Sequence, residues 1–415
     1  MKIARASDTL YTMSANTPVS SSEILSDAGN FSLVLGGPLY QLLRRAHLSD
    51  DALHMLVRRM ALMSLVAWLP LVVLTALEGR LLGGSVAVPF LLDLESHIRF
   101  LVVVPLLVAA ELVVHRHLLP VARSFLEREL IPPAAMQRFD TALRSAFRLR
   151  NSALAELLLL ASVYLVGVLI VWRRYTSIDV GSWYLTPTAQ GAKLSIAGTW
   201  YVGVSLPIFQ FLLLRWYFRL FIWLRFLWQV SRIQLILVPT HPDHLGGLGF
   251  LTNTVYAFTM LLVAHGAMVA AQIAGRIFFL GAKLPEFTTE IAVMVIFLLC
   301  IVFGPLLVFV PQLAQAKRRG LLAYGVLAER YVREFDVKWL HEAAPGKERL
   351  LGNTDIQSLA DMANSFAVVR AMRPVPVTRE AIIQLAAAVL LPIAPLLLTI
   401  MPMEALLKKL LGLLL

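Results

Sequence analysis

Seven apolar stretches, each close to the roughly 20 residues a helix needs to cross a bilayer, constrain this chain more than any other feature. They cover 60–79, 98–117, 152–172, 194–214, 250–274, 289–311 and 381–401. A chain of 415 residues has ample length for a water-excluding core of ordinary composition. It nevertheless carries 58% hydrophobic and only 15% charged residues, with a mean hydropathy of +0.74, where soluble domains average about 25% charged. The expected fold is all-α: a polytopic membrane bundle of about seven spans with a small cytoplasmic helical hairpin.

The net charge of +11 invites a nucleic-acid partner, but the basic residues sort by side of the membrane rather than onto one face. With the N-terminus inside, 28 of the 37 Lys and Arg fall in segments 1–59, 115–151, 215–249 and 312–380. Only 6 fall in 80–96, 173–193 and 276–288. That asymmetry predicts a cytoplasmic N-terminus in a bacterial-type inner (plasma) membrane. It also makes the bilayer, with anionic lipids at its cytoplasmic face, the expected partner, and it argues against nucleic acid. Cys300 is alone in an apolar run, which excludes a disulfide framework and a thiolate metal site.

The chain divides by composition. Residues 1–36, rich in Ser, Thr and Asn, read as a flexible cytoplasmic tail without the apolar core of a cleavable signal. Residues 37–311 hold six spans, with interfacial and cytoplasmic helices at 118–150 and 215–238. Arg58 and Arg59 are expected to snorkel to headgroups ahead of the first span. Arg215, Arg219, Arg225 and Arg232 would cost several kcal/mol each at the bilayer centre, which predicts an interfacial helix over 215–238.

Residues 312–380 read as a cytoplasmic hairpin. Leu321, Tyr324, Ala328, Tyr331, Phe335 and Trp339 recur at helical spacing. After a break, Thr354 and Gln357 have the spacing of a capping box. Segment 381–415 is expected to span once or to re-enter, because Pro392, Pro395 and Pro402 interrupt it; the spanning form is favoured.

The stretch "VPTHPDHLGGLGFL", 238–251, stands out at the mouth of the fifth span. One reading is a structural elbow: Pro242 fixes the backbone, Asp243 caps a helix, and Gly246, Gly247 and Gly249 permit tight turning. The sharper alternative makes His241, Asp243 and His244 a cation site or a proton-linked gate. Inside the spans, Glu111, His265 and Gln272 either line a pathway or form satisfied buried contacts. No Walker A, HExxH or GxSxG pattern is present, so enzyme catalysis is the weaker class and no cofactor is implied. The leading expectation is an oligomeric channel or solute or ion transporter. The second is a membrane-anchored signalling or scaffold protein acting through its hairpin, and a metalloenzyme using the HPDH residues comes a distant third.

Overall fold

The computed structural model describes residues 28–29, 31–38, 41, 55–83, 86, 88–168, 182–188, 191–341 and 353–400. The architecture is a helical bundle, as the apolar periodicity demands. Among the described residues, five helices are long and apolar enough to cross a membrane: α1 Leu56–Leu77, α2 Leu94–Glu127, α5 Ile196–Ser231, α6 Gly249–Leu280 and α7 Leu284–Leu307. Between α2 and α5 lie α3, Met136–Arg150, and α4, Ala153–Ser162, which continues as a π turn, Val163–Val168. After α7 come α8, Val310–Asp336, α9, Thr354–Ala371, and α10, Arg379–Leu390.

Local signals account for many of the boundaries. Side chains of Asp93, Ser152, Ser195 and Thr378 each accept a backbone N–H and start α2, α4, α5 and α10. Gly281, with φ +69°, closes α6 in the left-handed conformation. α9 is capped one residue earlier than expected: the Asn353 side chain accepts from Asp355 N at 2.8 Å, while Gln357 donates to Asp361.

The bundle has two chemically different ends. At one, Phe90, Trp183, Tyr184 and Tyr201 stack edge to face, and Trp183 Nε1 donates to Asp93 at 2.8 Å. The loop that supplies Trp183 is a small antiparallel hairpin, β1 Leu185–Thr188 with β2 Gly191–Leu194, pairing Leu185 with Leu194. It is a local departure from an all-helical chain. At the other end, which carries the arginine-rich segments, Phe125, Phe139, Phe226 and Phe309 form a buried aromatic layer. These are the aromatic end and the basic end below.

Three expectations are corrected by the packing. The helix expected to lie separately over 215–238 is the continuation of α5, which runs unbroken to Ser231 and then becomes extended. Residues 31–36 are not a free tail: Phe31, Leu33 and Val34 are buried, with Phe31 4.8 Å from Phe226 and 6.3 Å from Trp223. Arg59 does not snorkel but turns inward, while Arg58 is exposed.

The last apolar segment is broken where its prolines predict. α10 is followed by a turn through Pro392 and a 3-10 helix, Ala394–Thr399. Ile393 and Leu396 reach Leu284 and Phe287 at the far end of α6 and α7, so the segment runs the length of the bundle in two pieces. Its docking needs Gly266, where a Cβ would lie 2.1 Å from Val389 O. Residues 401–415, with Lys408 and Lys409, lie outside the described residues, as do the expected tail before 28 and the hairpin break at 342–352.

Candidate functional site

Glu111 sits 17 residues into α2, roughly 25 Å along it at 1.5 Å per residue, and its side chain is only 7% exposed. A lone carboxylate there would be prohibitively costly, so the surrounding helices must supply positive charge. They do. Arg59 from α1 pairs with its Oε2, Arg219 from α5 donates to Oε1 at 2.8 Å, and Arg215 lies 3.6 Å from the same oxygen. Arg215 also faces Glu156 of α4 at 3.3 Å. All three guanidinium side chains are at most 8% exposed.

The arginines get there by helix geometry: Arg215 and Arg219 are four residues apart, so they share one face of α5. Trp216 anchors that face, donating to Leu107 O of α2 at 2.9 Å, and the Arg219 guanidinium lies 4.8 Å from the Trp216 ring centre. Two of the four arginines that argued for an interfacial helix, Arg215 and Arg219, are instead paired with carboxylates inside the bundle. The network joins four helices at one level, and the 31–38 segment closes over it. A Cβ on Gly37, whose φ is +91°, would lie 3.0 Å from Glu156 Oε1 and 3.8 Å from Arg215. Ser32 fixes this segment: its hydroxyl meets His115 Nδ1 at 3.0 Å, and its carbonyl accepts from Arg150 at 2.7 Å. Gly37 N donates to Asn151 at 3.1 Å.

The other two polar span residues part company. His265 Nδ1 is 2.7 Å from Leu261 O, which requires the proton on Nδ1. Its Nε2 is then left to accept from the Tyr217 hydroxyl at 2.7 Å. Both ring nitrogens are satisfied within the protein. Gln272 is exposed and lines a cavity of ≈ 320 Å³ at the aromatic end, together with Glu95, Trp183, Tyr201 and Arg276. The two do not form one site with Glu111.

At the basic end the HPDHLGGLG loop is organised by one carboxylate. Asp243 Oδ1 accepts from Leu245 N at 2.8 Å and from Gly247 N at 3.2 Å, and Oδ2 accepts from Gly249 N at 2.8 Å. Gly249 opens the 3-10 turn that begins α6, so Asp243 does serve a helix start, from six residues away. Burial alone would raise the Asp243 pKa. The backbone donors of Leu245, Gly249 and Gly247, with His241 at 2.9 Å, outweigh it and hold the carboxyl below its ordinary value.

Three glycines are needed here for different reasons. Gly246 and Gly247 adopt φ +64° and +100°, and a Cβ on Gly249 would lie 2.8 Å from Asp243. Pro242 precedes them in the turn. The loop then ties three parts of the chain together: Val238 N donates to Gly246 O, Arg128 to Gly247 O, and Arg373 N, just beyond α9, to His244 O at 2.8 Å. His241, Asp243 and His244 do not assemble as cation ligands. Among the described residues, no group of three or more His, Cys, Asp or Glu side chains converges in that way. The Asp243 oxygens are occupied by the backbone, and His244, at φ +54°, buries its Nδ1 without a hydrogen-bond partner among the described residues.

No protein-family model matches the chain, and no curated protein or solved structure gives a significant match. The reading of function therefore rests on the geometry alone.

Proposed function

We propose that this is an inner-membrane channel or solute or ion transporter whose charged gate is the Arg59–Glu111–Arg215–Arg219–Glu156 network, in a state sealed by residues 31–38. One observation carries the reading: five charged side chains from four helices meet inside a mostly apolar bundle. A bundle that needed only stability would hold as well with apolar residues in their place, and ionisable groups within spanning segments mark pathways by default. With the aromatic end outside, the network lies roughly 25–30 Å from the outer ends of α2 and α5, at the inner edge of a hydrocarbon layer about 30 Å thick. That is where a gate meets the cytoplasm.

The test is an ion- and solute-flux screen on proteoliposomes, comparing wild type with Glu111→Gln and Arg219→Gln. Flux by the wild type that both variants alter, at normal assembly, supports the gate. A wild type that carries no flux under any imposed gradient overturns it. The second reading, a scaffold that assembles copies or partners through α8 and α9, is favoured by a different observation. Leu322, Val326 and Leu340 are about 70% exposed on α8 and its π-turn extension. Subunit cross-linking through these positions, with no flux, would select it.

A further inference from the structure

A second cluster of cations lies at the basic end, away from the buried network. The extended segment after α5 and the first turns of α8 enclose a cleft of ≈ 510 Å³. Arg232 rises from one wall and Arg319 from the other, with Gln234, Gln315 and Tyr324 between them, and no acidic residue lines it among the described residues. Both arginines are exposed, and neither guanidinium is in an ion pair or hydrogen-bonded to a protein group among the described residues. The arginines buried in the bundle differ: Arg59, Arg99, Arg215 and Arg219 each meet a carboxylate. Leu235, Leu237, Pro239 and Ala316 give the cleft an apolar floor.

The walls are held rigidly. The Gln312 amide donates to Ser231 O at 2.5 Å and to Ile233 O at 2.7 Å, and a Cβ on Gly320 would lie 2.6 Å from Pro239. The Arg232 guanidinium lies 5.1 Å from the Trp228 ring centre, which pre-orients it. Two forked donors without a counter-charge, flanked by neutral amides and a phenol over an apolar floor, match a phosphate ester. The geometry points to a binding site for a phosphate mono- or diester between Arg232 and Arg319, with the phosphate bridging the arginines and the apolar part of the ligand on the Leu235–Pro239 floor. The ester occurs in two forms, a phospholipid headgroup and a soluble phosphate. Occupancy would brace α8, the start of the helical hairpin, against the end of α5.

The test uses native mass spectrometry of the full detergent-solubilised chain with added dioleoylphosphatidylglycerol, dioleoylphosphatidylcholine or inorganic phosphate. Arg232→Ala/Arg319→Ala is compared with Arg232→Lys/Arg319→Lys. Selective retention of phosphatidylglycerol, weakened about tenfold or more by the alanine pair and partly restored by the lysine pair, supports the site with lipid as its source. Inorganic phosphate binding with the same dependence, and no lipid preference, supports the site with a soluble source. Equal binding by wild type and both variants, or no binding of either probe, overturns it. Both side chains are exposed, so the size-exclusion profile should stay that of wild type, and the lysine pair keeps the comparison valid if the alanine pair misassembles. Failure here would leave the flux reading of the buried network untouched.

Discussion

Removing the Asp243 carboxylate tests the loop most directly. Asp243→Ala strips the acceptor from three backbone N–H groups at 2.8, 3.2 and 2.8 Å. Hydrogen bonds to a charged group contribute about 1.5–3 kcal/mol each, but water can replace part of this at a half-exposed loop. The expected loss is therefore roughly 3 kcal/mol rather than the full sum. At about 2 °C per kcal/mol for a large chain, the melting temperature should fall by about 6 °C. Asp243→Asn separates charge from geometry: one amide oxygen can still accept from Leu245 and Gly247, but the NH2 then faces the Gly249 N–H, donor to donor. It should recover only part of the loss.

The assay is thermal unfolding in detergent, read by size-exclusion, with His241→Ala and His244→Ala alongside. The pH dependence has a definite sign. The folded pKa of Asp243 lies below its unfolded value of 3.8, so its contribution is complete above that value. It is lost as pH falls below 3.8 through the lowered folded value, and the gap between wild type and Asp243→Ala should close there. Histidine variants that destabilise more than Asp243→Ala, or a shift under about 1 °C for Asp243→Ala, would refute the reasoning.

Further outcomes follow from other contacts. Glu111→Gln should cost about 3–5 kcal/mol, because it leaves three buried arginines short of a partner; adding Arg219→Gln should return part of that in a double-mutant cycle, which thermal melts can read. Gly247→Val should damage assembly more than His244→Ala does, since valine disfavours φ +100° and its Cβ would sit 3.1 Å from Leu130 Cδ2; size-exclusion recovery gives the order. Gly266→Leu should undock α10 from α6, exposing the segment after Arg373 to protease. Reporter fusions after residues 90, 183 and 282 should read periplasmic and those after 135, 240 and 345 cytoplasmic, and a periplasmic signal at 345 would overturn the orientation.

The apolar spacing made most of the helices legible, because burial in an apolar phase writes a long and simple pattern. What spacing could not reveal was pairing between distant segments. Arg215 and Arg219 look too costly for a span when weighed singly, yet Glu111 and Glu156 on other helices pair with them. The signal was present, since a carboxylate in one span and an i,i+4 arginine pair in another each call for a counter-charge. Composition likewise assigned residues 31–36 to a tail. Phe31, Leu33 and Val34 are too few to stand out as periodic, and only the aromatic layer they enter gives them a place. At 238–251 the sequence suggests a joint with a locally acting cap. Asp243 reaches Gly249 instead, a contact set by two positive-φ glycines that bring the chain back on itself.

α5 touches the aromatic end, the buried charged network, His265 and the seat of Phe31. Tyr201 near its start packs 5.2 Å from Trp183, Arg215 and Arg219 hold Glu111, Tyr217 holds His265, and Trp223 and Phe226 receive Phe31. At 36 residues it is a rod about 54 Å long. Its regular hydrogen bonding is interrupted near the aromatic end, by the π turn Tyr201–Ser205 that contains Gly203 and by Pro207 just after it. Below that turn there is no joint to absorb movement. A push or twist transmitted through the buried aromatics of that end would bend the rod at Gly203 or travel down it as a lever stroke. In the second case the force would arrive at the seat of Phe31, where lifting one ring by a few ångströms is enough to unseat the cover.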